Sequence, residues 1–379
     1  MLQSNALNVD TADPLHPARC DELSNQKGAL AHRTAFDRFC LRCTISANPT
    51  HCAVFGFDDN IFRFPYGTHI ARSDCMDISA GFPVPETTLP DKWIDVDSSV
   101  FRERFERKSF EVAHHLASHP QFQLSQLMEL TERTLRTRPS DLYYDMGDVA
   151  PGQKWKDTNH AFSPLDALDQ LEDSNAWFIL RDAQRDPAYT ELYRHAIAEV
   201  KDMIGGGIES KIRNEEIIIF ITSPKRVTAY HIDRECNFIL QIHGEKDLYV
   251  FDREDRQILP EEEIEQFWTI DNNAPNYRPE LQDRSRLYRL APGNGVHVPV
   301  NCPHWLKNDD NISVTLSVNF QFIDSIRADI YRANYYLRRL GFNPNPPGQS
   351  AVRDRAKAMA YSTASAVRRA ARSALKKGG

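Results

Sequence analysis

From Glu215 to about Phe322 the sequence breaks into short β-rich runs: EEIIIFITS, NFILQIHG, KDLYVFD, SRLYRLAPG, VHVPV and ISVTLSVNFQF. Gly and Pro turns punctuate them. Several short strands at such spacing predict a closed antiparallel sandwich or barrel. Helical patterns lie on both sides, so the predicted fold class is mainly β with flanking helices.

The flanks divide further. Residues 1–33 hold no sustained period and contain Pro14 and Pro17, which predicts a mobile N-terminal arm. Residues 34–214 read as a mixed α/β region packing on the core. Within it, AVFGFDDNIFRFPYG predicts a hairpin turning at Asp58-Asp59-Asn60. Helical periodicity starts near Val100 and runs through FRERFERKSFEVAHHLASHP, and a second helix is expected from Leu124 to Leu135. Leu142-Tyr143-Tyr144 and Trp177 to Leu180 predict strands. Ser163-Pro164 opens a helix through Leu171, and a helix from Tyr189 to Ile204 ends at Gly205-Gly206-Gly207. After the 215–322 core come a C-terminal helix within 323–345 and, past a Pro-rich break at 343–347, a basic helical tail at 346–379.

Charge is distributed unevenly. The 379 residues carry 46 Lys or Arg and 53 Asp or Glu, yet residues 351–379 hold eight Lys or Arg against one Asp. An acidic body does not suggest broad nucleic-acid binding, and the basic tail reads first as a solvated Ala-rich helix, with nucleic acid, phospholipid or an acidic partner as the alternatives. No apolar run reaches the ~18 residues a membrane span needs. The N-terminal residues lack a basic start and apolar run, so a cytoplasmic location is expected. Seven cysteines do not form an even disulfide framework. Cys40, Cys43, His51 and Cys52 outline a zinc knuckle but lack a second tidy pair, which favours buried or incidental thiols.

The chemistry concentrates in TAYHIDRECNFILQIHGEKDLYVFD, residues 228–252. His231 and Asp233 are two apart and share a face if extended. His304, just past PGNGVHVPVNCP, offers a third ligand from another strand. Two His and one carboxylate that leave positions open match the non-haem Fe(II) oxygenase donor set. Asn237, Gln241 and His243 share one strand face, and Gly244-Glu245 suits a two-residue hairpin pairing His243 with Lys246. A straight strand would carry His243 ~33 Å past Asp233, so the chain is expected to bend near Arg234-Glu235-Cys236. A Lys inside a barrel requires an anion, and the distal carboxylate of 2-oxoglutarate supplies one. His297 reads as a core histidine, and His114 and His115, as neighbours on a helix, point apart.

With these residues in place, the 215–322 segment resembles the jumonji-type (JmjC, cupin-fold) 2-oxoglutarate oxygenases. In pattern it is most like the branch of the asparaginyl hydroxylase that inhibits hypoxia-inducible factor, with its bacterial cupin-like relatives. The resemblance implies a double-stranded β-helix (jelly-roll) core. It implies that His231, Asp233 and His304 hold Fe(II), and that Lys246 and Thr228 bind 2-oxoglutarate, helped by Tyr143 or Tyr144. It places Asn237 and Asn319 beside the bound ligands. O2 is then the co-substrate, a protein or peptide side chain the substrate, and a homodimer the assembly. Thr228 lies three residues before His231, so a bulge near Ala229 is required to bring both to one face. Small-molecule hydroxylation, N-demethylation, RNA modification, a non-enzymatic ligand-binding cupin and a zinc or manganese sugar isomerase are the alternatives.

Overall fold

The structure is a computed structural model and describes residues 91–154, 163–207, 209–322 and 325–377. The expected arm, the hairpin at Asp58-Asp59-Asn60 and the cluster Cys40, Cys43, His51 and Cys52 lie outside the described residues. Among those described, no helix is long and apolar enough to cross a membrane.

The first part of the chain builds an apron beside the core. It runs β1 (Ile94–Asp95), α1 (Ser98–Arg104), β2 (Phe110–His114), α2 (Leu124–Thr137), β3 (Leu142–Met146), α3 (Pro164–Asp169), β4 (Ala176–Leu180) and α4 (Pro187–Ile204). Local chemistry sets these boundaries. Asp97 caps α1 by accepting from the Ser99 and Val100 amides, while Ser163 and Asp186 cap α3 and α4, each with Pro at the first helical position.

The expected helix through residues 100–119 is corrected. It stops at Arg104, Glu106 takes a φ of 59°, and Phe110–His114 is a strand. The reason is a change of period: Phe110, Val112 and His114 are buried while Glu111 and Ala113 are exposed. β2 then pairs with β10 (Asn294–Val298).

From residue 212 the chain passes back and forth between two sheets. Its strands are β5 (Ile212–Thr222), β6 (Val227–His231), β7 (Cys236–His243), β8 (Lys246–Val250), β9 (Arg286–Leu290), β10, β11 (His304–Asn308) and β12 (Ser313–Phe322). The larger sheet has the order β1-β2-β10-β7-β12-β5-β4-β3 and the smaller β6-β11-β8-β9. All pairings are antiparallel. This alternation is the double-stranded β-helix, the jelly-roll of a cupin core. α5 (Glu261–Thr269) lies in the β8–β9 connection, and α6 (Ser325–Arg339) and α7 (Ala351–Lys377) follow β12.

Strand alternation separates the layers. On β7, Cys236, Phe238, Leu240 and Ile242 join an apolar core with Leu127 and Leu130 of α2, Leu168 of α3 and Tyr189 of α4. Each such side chain contributes roughly 1.5–3 kcal/mol. Asn237 and Ile239 point the other way, between the sheets. The outer face of the smaller sheet is covered as well: Tyr230, Phe251 and Trp305 pack with Ile264 and Phe267 of α5 and Tyr331 of α6. Arg338 of α6 donates to both carboxylate oxygens of buried Glu265, at 2.8 and 2.9 Å.

The hairpin expected at Gly244-Glu245 is a crossover instead. β7 belongs to the larger sheet and β8 to the smaller, where Lys246 pairs with Asn308 and Leu290 rather than His243. Gly244 makes that turn at a φ of 70°, and a Cβ there would lie 2.2 Å from the Ile312 carbonyl oxygen. Backbone cannot swing aside as a side chain can. Gly244→Ala is therefore expected to destabilise the fold by about 1–3 kcal/mol, read as a lowered denaturant midpoint; an unchanged midpoint would refute the close approach.

Candidate active site

His231 is the last residue of β6, Asp233 follows in the crossover to β7, and His304 opens β11. The crossover is fixed by the Asn301 amide, which donates to the Asp233 carbonyl at 3.0 Å. β6 and β11 are partners, with His231 directly opposite His304. The two rings lie 4.2 Å apart between centroids. His231 Nε2 is 3.9 Å from one Asp233 carboxylate oxygen and His304 Nε2 is 3.7 Å from the other. One ligand atom from each of the three lies within 4.8 Å of the other two.

The strand itself orients each ring. His231 Nδ1 donates to the Ala229 carbonyl at 2.7 Å and His304 Nδ1 to the Cys302 carbonyl at 3.0 Å. With Nδ1 protonated, a neutral ring carries its lone pair on Nε2, on the side facing Asp233. Burial, and then the neighbouring His231, pulls the His304 pKa down to about 4, so this ring is neutral at pH 7. Two imidazole lone pairs facing a carboxylate at these separations repel one another unless a cation sits among them. The donor set therefore fits a divalent metal. Asn237 fixes the carboxylate by donating to it at 2.7 Å, and its own Oδ1 is buried without a hydrogen-bond partner.

These groups open onto a cavity of about 510 Å³ between the two sheets. Alternate residues of four larger-sheet strands form one wall: Trp177 and Ile179 of β4, Ile218 and Phe220 of β5, Asn237 of β7, Ser317 and Asn319 of β12. Thr228, His231, Lys246 and His304 face them from the smaller sheet. Lys246 is only 4% exposed, and among the described residues it makes no ion pair. Burial alone pulls its pKa down to about 7. Among the described residues, no carboxylate neutralises this amine.

Thr228 reaches the cavity through a bulge. Between the pairs His231–His304 and Thr228–Leu306, two residues of β6, Ala229 and Tyr230, oppose one of β11, Trp305, which brings Thr228 to the face of His231. Asn319 is the cross-strand partner of Asn237, and its Oδ1 accepts from Ser317 at 2.6 Å. Gln241 sits deeper, its amide engaged by Ser313 and Thr315. His243 departs from the inward face expected of it: a register shift against β12 leaves it exposed at the strand end. His297 is fully buried, against Phe105, Phe110 and Phe238.

Neither tyrosine of β3 lines this cavity. Tyr144 stacks on Phe178 against the helix-covered core, and Tyr143 packs edge-on to Trp177 beside a small adjoining recess. The reason is topological: β4 stands between β3 and the interior strands, so its Trp177 takes the place expected of a tyrosine. Trp177 and Phe220 are wall residues outside the sequence motif, and Glu235, the one spare carboxylate near it, also lines the wall. Alternation through EEIIIFITS places Phe220 on the same face as Glu216 and Ile218, a signal available once the strand's inner face is known. Glu235 accepts from Gln321 at 2.6 Å, and burial, with Asp233 close by, raises its pKa.

No family model matches the chain, and no curated protein matches it. Among solved structures it is similar to YcfD of Escherichia coli, at 14% identity and a TM-score of 0.44, over 71% of this chain and 67% of that one. A structure of that protein described as a ribosomal oxygenase in complex with cobalt and 2-oxoglutarate gives 15% identity and a TM-score of 0.41. It matches 68% of this chain, and the chain spans 61% of its length. A Streptococcus pyogenes protein of unknown function, SPY1581, gives 13% identity and a TM-score of 0.19, over 29% and 66% of the two chains. Likenesses this distant assign no activity.

The lone buried amine has a consequence for stability. Its folded pKa of about 7 lies below the unfolded value of about 10.4, so between those values the unfolded chain binds more protons. The cost of Lys246 is thus complete below about pH 7 and gone above about pH 10. In metal-free protein, Lys246→Met is expected to melt higher than the parent at about pH 6, the gap closing by about pH 10. Equal melting temperatures at the lower pH would show the amine to be compensated.

Proposed function

We propose that this protein is an Fe(II)- and 2-oxoglutarate-dependent oxygenase that hydroxylates a C–H bond on a protein or peptide side chain. The observation that carries the proposal is the pairing, in one cavity, of a metal donor trio with a buried lysine that has no carboxylate partner among the described residues. A simple metal-binding module needs no such cation. A diacid answers both ends, one end beside the trio and the other on the ammonium group.

The roles follow from the contacts. His231, Asp233 and His304 would hold iron, with Nε2 of each ring as the donor atom. Bound iron supplies the activation of O2, coupled to oxidation of 2-oxoglutarate to succinate and carbon dioxide, that attack on an unactivated C–H bond requires. Asn237 keeps the Asp233 carboxylate in place. Lys246 receives the distal carboxylate of 2-oxoglutarate, which restores its positive charge and repays its desolvation. Thr228 lies on the same wall to offer a hydroxyl, and Asn319 stands beside Asn237. The aromatic wall of Trp177 and Phe220 keeps water from the reacting bond. The choice of a protein or peptide side chain rests on the resemblance carried by the His231–Asp233 segment. An isomerase reading would call for a fourth ligand, and Glu235 does not join the trio.

Purified protein given Fe(II), 2-oxoglutarate and air is expected to release succinate, faster with a panel of peptides, and Asp233→Ala is expected to abolish that release. Lys246→Met should raise the KM for 2-oxoglutarate at least about 30-fold, the cost of removing one partner from a buried charge pair. Full turnover by Asp233→Ala, or an unaltered KM in Lys246→Met, would sink the proposal.

A further inference from the structure

The two C-terminal helices form a surface that the cavity chemistry leaves unused. Residues 325–379 contain twelve Lys or Arg and only two acidic residues, Asp329 and Asp354, within a chain of net charge −7. Part of this charge is structural: Arg332 pairs with Asp329, and Arg338 with Glu262 and Glu265. Arg339, Arg353, Arg355, Arg368 and Arg369 are exposed and form no ion pair among the described residues. α7 has 27 residues to the 15 of α6, about 40 Å against about 22 Å. It therefore outruns the helix that supports it.

Aromatic rings interleave with these cations. Tyr336 and Tyr361 lie nearly parallel, 6.3 Å apart at 20°. The Arg368 guanidinium lies 5.4 Å from the Tyr336 ring and 5.9 Å from Tyr361. Arg332 stands 5.9 Å from Tyr361, and Arg339 5.9 Å from Tyr335. Tyr336 remains 39% exposed. Planar guanidinium groups and exposed aromatic faces are what unstacked bases lie on, while unpaired arginines follow a phosphate backbone.

We infer that the α6–α7 surface binds single-stranded nucleic acid, with RNA the natural probe. Charge complementarity names a polyanion, and the Tyr–Arg cluster selects one with bases over a lipid surface. A membrane-lying helix needs a continuous band of large apolar side chains. Among the described side chains of α7, the large exposed apolar ones are Val352, Met359 and Val367, with mainly alanine between them.

The test is fluorescence anisotropy of a labelled oligouridylate with the full chain. Binding is expected to weaken as salt rises from about 50 to 200 mM, with a log–log slope of about −2 to −3 for three or four phosphate contacts. The combined variant Arg355→Glu, Arg368→Glu, Arg369→Glu should lose at least about tenfold in affinity and flatten the slope, with succinate release unchanged. Tyr336→Ala should weaken binding about tenfold while Tyr336→Phe retains it. The inference is overturned by no binding at low salt, by an unaffected charge-reversal variant, or by Tyr336→Ala binding normally. Tighter association with phosphatidylglycerol vesicles than with the oligonucleotide would overturn it too.

Discussion

A buried amine that finds no counter-ion among the described residues is the constraint around which this molecule is arranged. Lys246 and the neutral His304 are held in a cavity that favours neither a free proton nor bulk water. Such an interior opposes folding, so the favourable terms come from elsewhere. The far face of the larger sheet carries the helix-covered core, the far face of the smaller sheet carries α5 and α6, and a third apolar cluster closes the sandwich around Leu248, Leu290 and Val298. The polar cavity is thus lodged among three apolar clusters.

Strand alternation makes this division possible. On β7 a single residue step decides whether a side chain joins Phe238 in the apolar core or Asn237 beside the metal donors. Two of the register shifts act at positions that need re-aiming. One brings Thr228 to the face of His231; the other turns His243 out to solvent. A strict period-2 reading misplaces both residues, because the bulges arise from pairing between strands and leave no mark within one strand.

The β core and the metal trio were legible for a physical reason: alternating polarity and fixed donor spacing are local properties. The bend at Arg234-Glu235-Cys236 followed from the reach of an extended chain. Elsewhere the deciding interactions were non-local. FEVAH carries enough periodicity to extend a helix from Val100, yet it is drawn into the sheet by β10. Gly244-Glu245 has the composition of a hairpin but connects two sheets, because Lys246 finds its partners on β9 and β11. The tyrosines of β3 are held off the cavity by β4, the next strand in the chain, which pairs between β3 and β5.

The two ligand imidazoles are steered by carbonyls only two residues upstream on their own chain. Each ring therefore carries its guide rail with it, its tautomer set by a neighbour in its own segment. The walls that would meet a substrate, Trp177, Ile179 and Phe220, belong to strands that contribute no metal donor. Over evolutionary time the specificity of such a scaffold can drift through β4 and β5 while its reactive centre is inherited intact.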